Sequence, residues 1–494
     1  MTTITCSPRS VARICAYGAL GVLLVGCFGN PPGVAGVAGT APAPNAFWTP
    51  PAERPTTPGG TAAIVIPPDV ASRVAHLRLT DVLDIALSNN TFTRISWAQA
   101  RAAAATFGAA KGEYYPSLAI DGSATALKTA PIEGHASVSQ RYYGPSLNLS
   151  WLLLDFGGRA GTIGEAREAL LAADWTHNAT LQSVVLTVEQ AYFLYMGTKA
   201  LLAAQQATVK EAQANLDAAD ERHKVGLATI ADVLLAKTAL SQAQLALEST
   251  QGELQTTRGA LALSMGLPAN IPYDIEIPSD TLAPLGVSES VDSLIERAVR
   301  ERPDLAAARA QAQASQERVT QARGQALPSL SVAGNAGETY IVNSPTFGNS
   351  YTATLTLQIP IFSGWSQIYN VKAAAAAADA ATEQARSFEQ QVVYEVFNSY
   401  YGLRTATQRV RTSGDLLASA TESEQVALGR YKAGAGSLLD LLTAQAALAD
   451  ARAQSIQSRF SWYTAFAQLA HDAGVLGLDG GTPLHLVPDT TESK

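Results

Sequence analysis

Cysteine is nearly absent. The 494 residues hold three, Cys6, Cys15 and Cys27, all at the very start. That placement excludes a disulfide framework or a cysteine-based zinc site in the body of the chain. Long apolar runs are missing too. Beyond Cys27 no stretch is long and apolar enough to read as a membrane-spanning helix. Positive charge is scarce: 34 Lys and Arg stand against 42 Asp and Glu, a net charge of −8, which leaves no basic face for a nucleic-acid partner. Aromatic residues make up only 7%. The six histidines are scattered without ligand spacing, and no Ser/His/Asp signature, P-loop or dinucleotide fingerprint stands in a credible context. No metal, cofactor or catalytic residue is expected, and the chain does not read as an enzyme.

Proline vanishes twice, from 146 to 267 and from 361 to 482. These tracts are rich in Ala, Gln, Leu and Ser, which favours long helices that pack closely. Each tract is interrupted once. Arg222, Lys224, Gly226, Asp232 and Ala236 return as Arg430, Lys432, Gly434, Asp440 and Ala444, at an offset of 208. Glycine can take φ > 0 where a helix ends, and Thr229 or Ser437 followed by an acid is how the next helix begins. Each copy therefore reads as the tip of a helical hairpin. Before the first tip, residues 159–224 would form a helix about 100 Å long at ~1.5 Å per residue. After it, Val233, Leu240, Leu247, Leu254 and Leu261 recur every seventh residue; Leu441, Leu448, Ser455, Trp462 and Leu469 answer them. Such a repeat calls for a supercoiled partner helix.

Ahead of each helical hairpin the period changes to two. Leu118, Ile120, Gly122, Ala124 and Ala126 alternate with Asp121, Ser123 and Thr125; Leu147, Leu149, Trp151 and Leu153 alternate with Ser146, Asn148 and Ser150. The pattern describes a strand hairpin with one apolar and one polar face. Trp151 could anchor at a membrane interface or simply pack under a loop. Leu330, Val332, Gly334 and Ala336, then Ala353, Leu355, Leu357 and Ile359, repeat the design. Residues 79–113 read as a helix, matched by 290–326. The chain is thus a tandem duplication. The first repeat spans 75–266 (strands about 117–127 and 145–155, long helices about 159–224 and 229–265). A Pro-rich connector covers 267–289. The second repeat spans 290–473 (strands about 329–339 and 350–361, helices about 365–432 and 437–473), and 474–494 is a polar tail.

The start reads as an address. Arg9 and Arg13 precede a short apolar segment, 14–25, that ends Leu24-Val25-Gly26-Cys27. This resembles the bacterial lipoprotein box, with 1–26 a signal peptide and Cys27 the lipidated residue. An ordinary secretory signal that happens to contain Cys is the alternative. Residues 27–74 are then an acylated Cys and a Gly/Pro-rich linker.

Four strands cannot close a barrel, and lipid cannot satisfy open edges, so a membrane role forces oligomerisation. Three chains would supply twelve strands and twelve long helices. The expected fold is mainly α with a membrane β-barrel: duplicated β-hairpins plus long α-hairpin coiled coils, the trimer forming a 12-stranded β-barrel and a 12-helix α-barrel. The lipobox, the duplication, the Tyr-Pro-Ser-Leu lead-in to the first strand and the Lys-Val-Gly-Leu tip together resemble the TolC/OprM-like outer-membrane efflux protein family, over roughly residues 75–475. The resemblance implies a homotrimer in the outer membrane that passively conducts substrates out of the cell. It further implies a periplasmic adaptor (membrane fusion) protein and an inner-membrane pump of RND or ABC type as partners, and no nucleic acid.

By the same resemblance Asp232 and Asp440 lie near a constricted periplasmic mouth, and Tyr431 bonds to Asp232 as a latch between the hairpins. Acids there also suit the first turn of a helix on electrostatic grounds alone. Gly436 stands where some members have a gating Arg, and Thr443 where they have a second Asp. Val225, Gly226 and Leu227, with Ala433, Gly434 and Ala435, match the tips that meet the adaptor, with Arg222 and Arg430 one turn before; a plain helix terminator is the alternative. Three functions remain open: an exit duct for small-molecule efflux, the outer-membrane part of type I protein secretion or ABC-type export, and a lipid-anchored periplasmic coiled-coil scaffold without a pore. Replacing Cys27 by Ser is expected to abolish labelling with radioactive palmitate. Undiminished labelling would refute the lipidation site.

Overall fold

The structure, a computed structural model, describes residues 74, 76–128, 139–276, 286–287, 289–342, 347–476 and 486–487, so Cys27 and the linker lie outside the described residues. In chain order the first copy of the unit is α1 (Leu79–Asn89), α2 (Thr91–Gly112), β1 (Ser117–Lys128), β2 (Ser139–Leu154), α3 (Gly158–Lys224) and α4 (Ile230–Ser264). A short strand β3 (Gly286–Val287) precedes the second copy. That copy is α5 (Val291–Glu301), α6 (Pro303–Gln325), β4 (Ser329–Ile341), β5 (Phe347–Gln358), α7 (Ser366–Lys432) and α8 (Leu438–Asp472), followed by β6 (Leu486–Val487). β3 pairs with β6 and ties the connector to the tail. No helix among the described residues is long and apolar enough to cross a membrane.

The single helix expected over 79–113 is broken at Asn90. Its backbone is extended (ψ 132°), and its side chain caps α2 by accepting from the Phe92 amide at 2.8 Å. The break serves packing, because α2 stacks end to end on α4: Asn90 Nδ2 donates to the Ser264 carbonyl at 2.9 Å. Arg302 does the same work 212 positions later, donating through Nη1 to the Asp472 carbonyl at 3.3 Å while Asp304 and Glu395 hold its charge. Two short helices in line thereby match one long helix. α3 packs along α2, α4 and α6, and α7 along α6 and α8, while α8 also crosses to α3.

Where these helices converge lies the apolar core. Ile85, Leu261, Met265, Leu294, Leu305, Val392, Val396 and Leu469 are fully buried there, and Trp462 donates its Nε1–H to Thr407 Oγ1 at 3.0 Å. The seven-residue seam does what its period requires: Leu240, Leu261, Leu441, Leu448, Trp462 and Leu469 are buried. Towards the tips, alanines such as Ala219, Ala236 and Ala451 pack beside Leu438, Leu441 and Leu448, which lets the helices approach closely.

All four long strands join one antiparallel sheet in the order β1-β2-β4-β5, with β2 against β4 linking the two hairpins. β2 starts at Ser139 and β5 at Phe347, both earlier than their periodicity alone indicates. Directly opposed residues share a face. One row runs Leu118, Leu149, Gly334, Ala353, and the next Ile120, Leu147, Ala336, Tyr351. The opposite face carries the row Asn148, Asn335, Thr352. Among the described residues no strand packs along a helix, so both faces of the sheet are open in the single chain. Trp151 belongs to the apolar face near the helices, where its Nε1–H donates to the Tyr114 carbonyl at 3.0 Å.

Sheet becomes helix through a pair of left-handed residues in each copy, Phe156 and Gly157 (φ 49° and 109°) and Gly364 and Trp365 (φ 64° and 68°). The first turn is pinned by buried Arg159, whose guanidinium donates to the carbonyls of Leu152, Leu153 and Glu113 at 2.6, 3.2 and 3.2 Å. Just beyond, α3 and α6 touch backbone to backbone: a Cβ on Gly324 would lie 2.2 Å from the Gly158 nitrogen. Gly324→Ala is expected to cost about 1–3 kcal/mol by forcing these helices apart. Gly122→Ala, where nothing lies within 4 Å, is the matched control. Thermal unfolding of both in detergent measures the difference.

Candidate functional site

The two hairpin tips gather most of the residues singled out in the sequence. α3 ends when Gly226 turns to φ 77°, which allows the Leu227 amide to donate back to the Arg222 carbonyl at 2.7 Å. Gly434 (φ 74°) does the same for the second tip, with the Ala435 amide on the Arg430 carbonyl at 2.8 Å. These are Schellman terminations, in which glycine takes the left-handed conformation without a side-chain clash. α4 and α8 then start on reciprocal caps. Thr229 accepts from the Asp232 amide while the Asp232 carboxylate accepts from the Thr229 amide and hydroxyl, both at 2.8 Å. Ser437 and Asp440 repeat the arrangement.

The two acids are therefore already engaged in capping. The Thr229 amide, helped by its hydroxyl, holds the Asp232 carboxyl below the usual carboxylate range, and Ser437 does so for Asp440. Asp440 is exposed and Asp232 half-buried at the end of the hairpins. The expected Tyr431–Asp232 bond is not formed in the chain. The Asp232 carboxylate points back to Thr229, and the Tyr431 ring is covered instead by the Arg222 guanidinium, 4.3 Å from its centroid. Arg222 Nη2 also reaches the Tyr431 carbonyl at 3.4 Å. The first hairpin thus clasps the second through Arg222, a contact that sequence reading places at a docking tip. Below the ring, Tyr431 packs with Ala219, Ala236, Leu438 and Leu441. Further along, α3 and α8 are stitched by Asn215 to Gln445 at 2.5 Å, Arg452 to Glu211 at 3.1 Å and Gln190 to Gln468 at 3.1 Å. Thr443 donates to the Leu439 carbonyl of its own helix.

The tips are chemically unequal. The first presents Val225, Leu227 and Ile230 to solvent, at 67, 78 and 58% exposure. The second offers Ala433, Gly434 and Ala435, small and exposed, with Arg430 bent over to the Ala435 carbonyl.

A second feature escaped sequence reading. On α3, Asp174, His177, Asn178, Gln182 and Glu189 are buried at helical spacing among apolar residues. Ser96 on α2 bonds to His177 Nδ1 at 2.8 Å. Burial raises both carboxyls to about 7, Asp174 from 3.8 and Glu189 from 4.5. The signal was available: these polar side chains occupy the stripe that Leu181, Val185 and Val188 mark as inward.

Comparison with known proteins places this geometry. The profile of the family described as outer membrane efflux protein matches residues 82–267 and 294–475. Protein CyaE of Bordetella pertussis is 28% identical over 427 residues, 84% of this chain and 88% of its own length. Outer membrane protein OprJ of Pseudomonas aeruginosa is 27% identical, covering 76% of this chain and 80% of that protein. Among solved structures, the CmeC outer membrane channel of Campylobacter jejuni superposes with a TM-score of 0.71 at 20% identity, over 82% of this chain and 86% of that one. At that identity the likeness speaks for the fold alone.

The buried carboxyls carry a pH signature. Because their folded pKa values are raised, the stabilisation is complete below the unfolded values near 4 and declines as pH rises through about 7. The melting temperature of the wild-type chain should fall between pH 5.5 and 8.5. The double variant Asp174→Asn, Glu189→Gln should show a clearly smaller fall, measured by thermal unfolding at both values.

Proposed function

The chain belongs to the outer membrane efflux protein family, and from that premise we propose that three copies form the exit duct of a tripartite efflux system. The observation that carries this reading is the open sheet. β1 and β5 are its end strands, and both are exposed along nearly their whole length. Their apolar side chains include Leu118, Ile120, Leu355 and Leu357, all exposed. A sheet with one apolar face suits lipid, yet lipid cannot satisfy the two edges. Pairing β5 of one copy with β1 of the next removes both edges and gives twelve strands around a polar bore. Aromatic rings mark the two ends of the apolar face: Tyr143, Tyr340 and Phe347 at the far end, Trp151 at the near end. That spacing fits the interfacial girdles of a membrane barrel.

The helices support the same closure. Within one chain, Phe193 of α3 stacks on Tyr463 of α8 with centroids 5.0 Å apart. The matching stripe on α7, Tyr394, Phe397 and Tyr401, is exposed. By the internal repeat its partner is α4 of the next copy, so one chain supplies two of six equivalent columns. A hollow cylinder follows, open at the tips.

In this reading the cylinder conducts small molecules passively, and an inner-membrane pump supplies the energy. Val225, Gly226 and Leu227 with Arg222, and Ala433, Gly434 and Ala435 with Arg430, form the surface for a periplasmic adaptor. Asp232 and Asp440 ring the mouth, where like charges attract cations. Tyr431 acts at the mouth through Arg222. A lipid on Cys27 adds a second anchor. Type I secretion or ABC-type export would use the same tube, and the adaptor that co-purifies separates those uses. A pore-free scaffold would leave the apolar sheet face without a role.

Purified protein in planar bilayers tests the duct. Stepwise conductance from a trimeric fraction is expected. Persistent silence from material that is trimeric by native gel would overturn the reading.

A further inference from the structure

The polar face of the sheet is almost free of charge. On β1, β2, β4 and β5 it is built from Ser, Thr, Asn, Gln, Tyr, Gly and a few apolar residues. Lys128, Arg141 and Glu338 all belong to the other face, at the end away from the helices. Among the described strand residues, Asp121 alone puts a charged side chain on the polar face.

Asp121 is also the end of a directed row. Asn335 Nδ2 donates to Asn148 Oδ1 at 2.5 Å, and Asn148 Nδ2 donates to Asp121 Oδ2 at 2.5 Å. Thr352 stands opposite Asn335 on the next strand. Two amides on neighbouring strands therefore present their hydrogens towards the carboxylate and hold it against the wall at one level. The level is about 13 Å along β1 from Ser117, at ~3.3 Å per residue, well inside the sheet and far from the tips.

From this arrangement we propose that Asp121 sets the charge preference of the membrane part of the duct. The proposal rests on the trimeric barrel described above. Three copies place three carboxylates on one circumference of an otherwise neutral wall. The effect is a long-range field and needs no bound ion. Twelve strands about 4.8 Å apart and tilted by ~40° enclose a backbone radius of about 12 Å. The Debye length is about 30 Å at 0.01 M salt, about 10 Å at 0.1 M and about 3 Å at 1 M. At low salt the three fields overlap on the axis; at 1 M each is confined to the wall. Cations are enriched and anions depleted accordingly, each roughly threefold at 0.01 M salt from Coulomb interaction across water at that radius, so their ratio shifts by roughly tenfold.

Reversal potentials of the full-length trimer in planar bilayers under a potassium chloride gradient provide the test. Asp121→Asn keeps an oxygen for Asn148, so the row survives while the charge goes. Its cation-to-anion permeability ratio should fall by about tenfold at 0.01 M and hardly at all at 1 M. Asp121→Lys should favour anions. Wild-type channels with an unchanged ratio in Asp121→Asn at low salt would overturn the assignment while leaving the duct standing. Failure of Asp121→Lys to assemble leaves Asp121→Asn to decide. Silence of the wild-type trimer would overturn the duct itself.

Discussion

Backbone hydrogen bonding at the two ends of the sheet governs everything else in this molecule. Four strands in the order β1-β2-β4-β5 satisfy one another but leave two edges. Each unmade bond costs little in water and several kcal/mol in hydrocarbon. The apolar face draws the sheet into lipid, and the edges prevent it from staying there alone. The helices follow the same rule in a milder form, since the exposed aromatic stripe on α7 is an incomplete surface that becomes complete by repetition.

Duplication is what makes repetition possible, and the two copies have diverged where their tasks differ. Asn90 and Arg302 occupy the same cap and address the same carbonyl position, yet one is neutral and the other a buried cation with two acidic partners. The first tip is apolar and the second is small. α3 carries a buried polar stripe that α7 lacks at the matching positions, where Thr382, Ala385 and Arg386 stand.

Much of this was legible in the sequence because it is periodic. The seven-residue leucines, the alternating strands, the Gly226 and Gly434 stops and the Thr229 and Ser437 starts are local patterns with one physical reading each. The break at Asn90 was hidden because helix-compatible residues run on through it, and only the end-to-end contact with Ser264 explains it. The strand bounds fell short for a related reason: partners across the sheet extend β2 and β5 beyond their own alternation. At the tips, the family resemblance has Asp232 bonding across to Tyr431. Its own cap lies nearer, and Arg222 was left to cover the ring. Contacts between hairpins depend on rotation about long helices, which no local spacing reports.

The junctions between sheet and helices carry one more consequence. Arg159 grips three carbonyls on one side of each chain, whereas Gln367, its counterpart, reaches a single carbonyl at 3.5 Å. Mechanical load passing from the shaft into the membrane collar would therefore travel down alternate columns, three stiff struts separated by three compliant ones. A torque applied at one end would reach the other unevenly, giving the cylinder a built-in threefold bias in how it twists.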